Sequence, residues 1–242
     1  MKFTPIATTT VLAAAGGIAF TSVVRPWYHR WGASDEEVMR PMPLDERIPG
    51  PTMQTTMAIT INARPEAIWP WLVQIGDPPR AGYYSYTWIE KAVGLDIQNA
   101  GRILPRFQSV TVGQALDGNG TMVVQAVEPG KSLVLGPPDS IDYLKCTWAF
   151  GLYPIDARST RLVTRVRARW SYRQTLCTTP PWAWPMWLLI DPGAFIMERK
   201  MLKEIKGLAE AHSPILQSGV VITEPAMARM ETDAAVDAVV PG

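Results

Sequence analysis

The first hydrophobic stretch of the chain is an uncharged run of twenty residues, Pro5–Val24, which lies between Lys2 and Arg25. Twenty residues at a helical rise of about 1.5 Å cover the roughly 30 Å hydrocarbon core of a bilayer. We interpret residues 1–24 as a retained transmembrane anchor. Two alternatives stay open, namely a signal peptide cleaved near the alanines at positions 13–15 and a weakly apolar helix packed on the domain.

The next segment, residues 25–54, is predicted to be an interfacial segment and linker. Aromatic and cationic residues alternate from Arg25 to Trp31, which is typical of the membrane–water interface. Arg25 and Arg30 outnumber Lys2 on the opposite side, so the positive-inside rule predicts that the domain faces the cytoplasm. Residues 34–54 contain four prolines and many charges without periodicity, which indicates an extended linker that wraps or tethers the domain.

The folded unit begins with a strand followed by two short helices. Small or polar residues alternate with Met57, Ile59 and Ile61, which predicts a half-buried strand with these three side chains inward. From Glu66 to Ile75 the apolar spacing becomes helical, with Pro70 expected to kink or shorten the helix. A second short helix is predicted over residues 89–93, ended by Gly94.

The central segment predicts an antiparallel meander, because β-forming stretches alternate with turn signals. The predicted strands cover residues 108–116, 121–128, 132–135, 143–153 and 161–172. The last strand places Leu162, Thr164, Val166, Ala168 and Trp170 on one face. Its other face carries Arg161, Arg165, Arg167 and Arg169, which we interpret as a solvated outer surface.

The C-terminal part begins with an uncharged segment, residues 180–190, that contains Trp182, Trp184 and Trp187. This segment is too short to span a bilayer, so it is either a lid on a cavity or a second membrane contact. Asp191 is expected to cap a long helix, with Pro192 in its first position, that ends near Ala211. The tail, residues 212–242, lacks a pattern that would bury a face and is predicted to be disordered.

The order of strand, two short helices, meander and long C-terminal helix is that of a helix-grip fold. Four sequence stretches support the same fold: TITINARPEAIWPWLVQIG, GYYSYTWIEKAVGLDI, NAGRILPRFQSVTVGQAL and PGAFIMERKMLKEIKGLAE. These stretches resemble the START and polyketide-cyclase-like (SRPBCC) superfamily, in particular its membrane-anchored bacterial group of uncharacterised function. The resemblance implies an α+β helix-grip domain over residues 55–211, with a curved antiparallel sheet around the last helix and an apolar cavity between them.

Composition and charge argue against nucleic-acid binding and against a metal site. The formal net charge is +1, so the chain lacks the excess of positive charge with which nucleic-acid binders gain affinity. Cys146 and Cys177, with His29 and His212, are too few soft ligands for a structural metal site. No phosphate-binding loop or nucleophile motif occurs, and we expect neither metal nor cofactor.

A cluster of aromatic residues and one acid near the second short helix is the candidate site. Tyrosine hydroxyls there can orient a ligand oxygen, and Glu90 can act as a base if burial raises its pKa, with Tyr86 as a second catalytic candidate. The alternative is that the rings only pack and that Glu90 is solvated. The predicted ligand-lining residues are Tyr83, Tyr84, Tyr86, Trp88, Trp148, Trp170 and Phe195.

Three functions remain open on this basis. The preferred one is a membrane-anchored protein that binds a hydrophobic small molecule such as a lipid or an isoprenoid- or polyketide-like compound. The second is a cofactor-independent cyclase or aromatase acting on a polyketide-like substrate. The third is a membrane-tethered interaction module without a ligand.

Overall fold

The computed structural model describes residues 20–92, 94, 96–140, 145–169 and 184–217, with side chains in the last range described for 190–213. It contains a five-stranded antiparallel sheet and one long C-terminal helix, which confirms the predicted α+β class. Most of the predicted anchor, residues 1–19, lies outside the described residues. So do Trp170, residues 171–183 and residues 218–242 of the predicted tail.

The sheet consists of five strands in the order β1-β5-β4-β3-β2. Their bounds are β1 Met53–Ile61, β2 Val123–Glu128, β3 Ser132–Gly136, β4 Lys145–Pro154 and β5 Thr160–Arg169. The predicted strand over residues 108–116 was wrong, because within it only an isolated bridge joins Ala115 to Val123. A turn occupies this stretch instead: Gly113 has a φ of +86°, and the backbone N–H of Gln114 donates to the carbonyl of Thr111.

Five α-helices are described besides short π- and 3-10 segments. They are α1 Arg25–His29, α2 Asp35–Met39, α3 Pro65–Val73, α4 Thr87–Ala92 and α5 Trp184–Gln217. Helix α3 keeps Pro70 in its interior and ends at Val73, two residues before the predicted end. Among the described residues, none of the helices combines the length and the apolar character needed to cross a membrane.

The predicted start of the last helix at Asp191 was wrong, because α5 begins at Trp184 and passes through Asp191 and Pro192. The Asp191 carboxylate caps no helix. It accepts hydrogen bonds from Arg25 Nε at 2.7 Å and from the Tyr28 hydroxyl at 2.9 Å, and it lies 2.8 Å from His29 Nε2. These partners, more than 160 residues away in sequence, satisfy the carboxylate in the middle of a helix.

The main core lies between the inner face of the sheet and helices α3 and α5. Met57 and Ile61 point into it from β1, as their alternation predicted. The helices contribute apolar side chains at helical spacing, so that each buries one stripe against the sheet. These side chains are Ile68, Trp71 and Leu72 from α3 and Met201, Leu202, Ile205 and Ala209 from α5.

The outer face of the sheet is covered by residues 28–50, which we call the N-terminal strap. A second apolar cluster forms between them, with Met42 of the strap against Ala58, Val134, Ala149 and Val163 of the sheet. The strap reaches β1 closely at Gly32, whose φ is +72° and where a Cβ atom would overlap the carbonyl oxygen of Ala58. Only glycine fits such a position without strain.

The interpretation of the β5 arginines as a solvated surface was wrong for Arg161, Arg165 and Arg167, which pair with acids of the strap, whereas Arg169 is exposed. Arg165 is 2% exposed; its Nη1 donates to Asp45 Oδ2 at 2.6 Å, and its Nη2 donates to the carbonyl of Glu37 at 2.8 Å. Arg161 Nε donates to Glu37 Oε1 at 2.6 Å. The acids of the segment predicted as a linker therefore serve as partners for cations on the sheet.

Candidate functional site

Glu90 is the feature that marks the candidate site. It lies on the short helix α4 and is 1% exposed, so it is not the solvated glutamate that a short surface helix would carry. Both of its carboxyl oxygens are buried without a hydrogen-bond partner among the described residues. Burial raises the pKa of Glu90, and the negative charge of nearby Asp77 raises it further.

Tyr83 contacts the inner face of the sheet and lies within the electrostatic reach of Glu90. Its hydroxyl donates to Asp77 Oδ1 at 3.0 Å, and its ring stacks on Trp148 of β4 with centroids 6.5 Å apart. Burial raises the pKa of Tyr83, with the Asp77 charge as the next cause. The Tyr83 hydroxyl therefore stays protonated and acts as a hydrogen-bond donor.

A second carboxyl group, that of Glu198 on α5, lies at the indole N–H of Trp148. The Thr164 hydroxyl donates to Glu198 Oε1 at 2.5 Å, and the Trp148 indole N–H donates to the same oxygen at 3.3 Å. Burial raises the pKa of Glu198, and the two hydrogen bonds lower it without offsetting the burial.

The apolar spacing of α5 contains a sequence signal for Glu198, which the predicted site did not include. The apolar stripe of α5 runs through Phe195, Leu202 and Ile205, and Glu198 occupies the missing helical position in this series. A carboxylate on the apolar stripe of an amphipathic helix is predicted to face the core, where desolvation shifts its pKa. Thr164 was placed correctly on the inner face of β5, but its role as a partner to an acid was not foreseen.

Tyr84 does not join this group. It is fully buried in the main core, where its ring meets Trp71 edge to face and its hydroxyl accepts a hydrogen bond from Gln74 Nε2 at 2.6 Å. Burial raises the pKa of Tyr84 to about 12. Gln74 also accepts a hydrogen bond from the backbone N–H of Leu104 at 2.8 Å. These contacts give Tyr84 a packing role.

The remaining candidates are dispersed. Tyr86 and Trp88 form an aromatic pair with centroids 6.5 Å apart, in which Trp88 is 68% exposed. Phe195 packs on Trp27 and Tyr28, at centroid distances of 5.9 and 5.2 Å, and it also borders the main core. Trp170 lies outside the described residues. The structure thus brings together Tyr83, Trp148 and Glu90 of the predicted set, and adds Asp77, Thr164 and Glu198.

A cavity of about 260 Å³ lies elsewhere, between α1, the strap and β1. It is lined by Thr21, Arg25, Pro26, His29, Arg30, Val38, Gln54 and Thr56. Thr56 points to the outer face of the sheet, where its hydroxyl accepts a hydrogen bond from Arg165. We therefore place the candidate site by its buried acids on the inner face and regard this cavity as part of the joint between strap and sheet.

The arrangement can supply hydrogen-bond donors and protons to a ligand in an apolar setting. A carboxyl group with a raised pKa is neutral over a wider pH range and donates its proton in a hydrogen bond to an oxygen atom. The aromatic faces of Tyr83 and Trp148 offer apolar contact beside it. Within the described part of the chain, no group of three His, Cys, Asp or Glu side chains is arranged to hold a metal ion.

Comparison with known proteins finds solved structures whose overall similarity to this chain is weak. No family model matches the chain, and no curated protein matches it. A protein of Mesorhizobium loti is 16% identical over 66% of this chain and 98% of its own, with a TM-score of 0.35. The Zhui aromatase/cyclase of a Streptomyces species is 13% identical over 65% of this chain and 93% of its own, also at 0.35. A protein of unknown function from Enterococcus faecalis is 16% identical over 72% and 89%, at 0.32. At such values the similarity assigns neither family nor function.

Proposed function

We propose that this chain is a membrane-anchored protein of the helix-grip type that binds a hydrophobic small molecule carrying at least one oxygen atom. The observation that carries the proposal is the carboxyl group of Glu90, which is buried without a partner among the described residues. A buried, unpartnered polar group costs about 1–3 kcal/mol of stability. A ligand oxygen that accepts a hydrogen bond from this carboxyl group would remove the cost.

The surroundings of Glu90 support an apolar ligand with a polar end. Tyr83 donates to Asp77 and stacks on Trp148, and the charge of Glu90 acts on its hydroxyl, so an aromatic pair lies within reach of the field of the acid. Glu198 and Thr164 provide a second polar point at the indole N–H of Trp148. Sites for small molecules typically combine such apolar walls with a few placed polar groups.

The test compares the full-length protein with Glu90→Met and with Glu66→Gln, in which an exposed glutamate on α3 is changed. Each protein is purified in mild detergent and extracted with organic solvent, and the extract is analysed by mass spectrometry. We expect an apolar, oxygen-containing compound with the unchanged protein and with Glu66→Gln, and its loss with Glu90→Met. The same compounds in all three extracts would contradict the proposal.

The anchor is proposed separately, from the uncharged run Pro5–Val24. The full-length chain should remain in the membrane fraction after high-salt and carbonate washing, since hydrocarbon burial is insensitive to salt. Leu12→Arg combined with Ala15→Arg should release it, because each arginine at a helix centre costs about 2.5–3.5 kcal/mol of insertion. Recovery of the unchanged chain in the soluble fraction would refute the anchor.

The orientation of the domain is a further part of the proposal. Arg25 and Arg30 favour a cytoplasmic domain under the positive-inside rule. Protease added to the outside of intact spheroplasts should leave the domain uncut, whereas cleavage without lysis would place it on the other side of the membrane.

A second candidate function is proton-transfer catalysis of the cyclase or aromatase kind. The observation that favours it is the pair of acids, Glu90 and Glu198, whose pKa values burial raises towards the range of general acids. A synthetic poly-β-keto thioester serves as the probe, and aromatic product is followed by ultraviolet absorbance. Catalysis predicts product formation that Glu90→Gln or Glu198→Gln suppresses and Glu66→Gln leaves intact. Absence of product above the uncatalysed rate would favour binding alone.

A further inference from the structure

The large apolar side chains that are exposed on the described residues are unevenly distributed along the chain. Six of the ten occur in two short segments, residues 20–27 and the first part of α5, with exposures between 38% and 66%. They are Phe20, Val23, Val24, Trp27, Ile190 and Ile196. The other four, Met39, Trp88, Val112 and Ile155, occur singly on separate segments.

Direct contacts hold the two segments together as one unit, which we call the apolar lobe (residues 20–27 and 184–197). Arg25 Nε donates to Asp191 Oδ2 at 2.7 Å, and the Trp27 ring meets the Phe195 ring edge to face at 5.9 Å. Tyr28 binds both segments as well, through its hydroxyl to Asp191 and its ring to Phe195. Exposed apolar side chains from distant parts of the sequence therefore lie on two segments that contact each other.

The lobe contains almost no free charge. Asp191 is the one acidic or basic residue of the sequence from 184 to 197, and its carboxylate is bound to Arg25, Tyr28 and His29. The first part of α5, at about 1.5 Å per residue, is only about 20 Å long and too short to cross a bilayer. Apolar helices of this kind, with their charges paired, suit the boundary between headgroups and acyl chains.

The chain itself indicates which occupant covers this surface. The proposed anchor runs directly into the lobe: Phe20–Val24 form the last turn of the uncharged run, and Trp27 follows three residues later. If the run spans the bilayer, its last residues lie at the membrane surface, together with whatever packs on them. A lipid surface is therefore already at the lobe.

We propose that the apolar lobe docks on the lipid surface beside the anchor, with Trp27, Ile190 and Ile196 in contact with lipid. The inference rests on the proposed anchor. It means that the domain is fixed on the bilayer instead of moving on a tether.

On α5, Phe195 of the lobe and Glu198 of the candidate site are three residues apart, less than one helical turn. A hydrophobic ligand dissolved in the bilayer would then have a short path to the site.

The experiment uses the full-length chain in phosphatidylcholine vesicles, in a background where Cys146 and Cys177 are replaced by serine. Ile196→Cys carries a nitroxide label, and the matched control is Ile155→Cys, an exposed isoleucine in the turn after β4. Trp27→Cys and Trp88→Cys form a second matched pair. Collision of each label with lipid-soluble oxygen and with a water-soluble nickel chelate is measured by electron paramagnetic resonance.

Docking predicts that labels at 196 and 27 collide several-fold more with oxygen, relative to the nickel chelate, than labels at 155 and 88. Equal ratios at all four positions, in protein that floats with the vesicles, would overturn the docking and leave the anchor standing. Protein that does not float would overturn both. Spectral broadening at 196 that disappears on dilution with unlabelled protein would identify a second copy of the chain as the occupant, and would likewise overturn the lipid assignment.

Discussion

The two faces of the sheet both bury charged groups, but they treat them in opposite ways. On the outer face Arg165 has five hydrogen-bond acceptors: Asp45, the carbonyls of Glu37, Val38 and Arg40, and the hydroxyl of Thr56. On the inner side the Glu90 carboxyl has none among the described residues. Buried polar groups in native proteins are usually partnered, and Glu90 is the one described carboxyl group with both oxygens buried and unpartnered, so we infer a partner from outside the chain.

The difference teaches where burial of charge is structural and where it indicates a site. Arg161, Arg165 and Arg167 of β5 bind acids of the N-terminal strap, and these ion pairs attach the strap to the sheet. Glu90 has no partner among the described residues, and the hydrogen bonds to Glu198 do not offset the burial that disfavours its ionised form. Substitutions on the two faces should therefore move stability in opposite directions.

The largest effect is expected from Arg165→Met on the outer face. The change leaves the Asp45 carboxylate and three backbone carbonyls without their buried donor, so the free energy of unfolding should fall by about 3–5 kcal/mol. Urea unfolding of the full-length chain in detergent, followed by circular dichroism, measures it. Arg169→Met on the same strand is the control, because Arg169 is exposed and makes one long contact to the carbonyl of Gly50. A comparable loss in both variants would mean that the outer face is not held by specific partners.

On the inner side, Glu90→Met should raise the stability of the ligand-free protein. Methionine has a similar length without polar atoms, so the change removes an unpartnered buried group that costs about 1–3 kcal/mol. The same urea titration applies, after delipidation, with Glu66→Met as the exposed control. A decrease in the free energy of unfolding would show that Glu90 has a structural role, and the contrast between the faces would fail.

The pH dependence of stability should also differ between the faces. Because burial raises the pKa of Glu198 in the folded state, the folded protein binds this proton more tightly than the unfolded chain does. The stability that this bound proton contributes is fully present below the ordinary pKa of about 4.5. It is lost as pH rises towards the raised pKa of the folded state. Glu198→Gln should therefore weaken the decline of urea midpoints above pH 4.5.

Glu37 of the strap provides the opposite case for this measurement. Burial favours its protonated form, but hydrogen bonds from Arg161 and Ser34 outweigh this and lower its pKa. The stability that ionised Glu37 contributes is present above its ordinary pKa and is lost as pH falls through the lowered pKa of the folded state. Glu37→Gln should thus flatten the acid side of the profile, and parallel profiles for both variants would refute the assigned environments.

The smallest expected effect concerns the cap of α2 in the strap. The Ser34 hydroxyl accepts a hydrogen bond from the Glu37 N–H at 3.2 Å, and Glu37 Oε2 accepts one from the Ser34 N–H at 2.8 Å. Ser34→Ala should cost about 1 kcal/mol, whereas Ser34→Gly should cost only a few tenths. Amide hydrogen exchange across residues 35–39 detects the loosening. Equal protection in both variants and the unchanged chain would remove the capping box as a contributor.

The sequence by itself determined the elements whose order is local. Alternation predicted β1 with Met57 and Ile61 inward, and the turn signals predicted β2 to β5 within a few residues at their ends. Helical spacing predicted α3 and the packed part of α5. Period and turn chemistry depend on neighbours a few residues away, so they can be read without knowledge of the fold. The strand predicted over residues 108–116 was wrong because the chain turns at Gly113, although apolar residues surround this glycine.

The tertiary structure alone decided the environment of the charged residues. Arg165 and Asp45 are 120 positions apart in the chain, so nothing local distinguishes a partnered arginine from a solvated one. The same holds for Asp191, which the sequence predicted to be a helix cap. Its partners in the structure are Arg25, Tyr28 and His29, which lie more than 160 residues away in sequence. Glu90 is buried although Trp88 and Lys91 of the same short helix are exposed, so the fold decides which side of the helix is covered. The desolvation that shifts a pKa arises from atoms brought in by folding, and the local sequence does not specify which atoms those are.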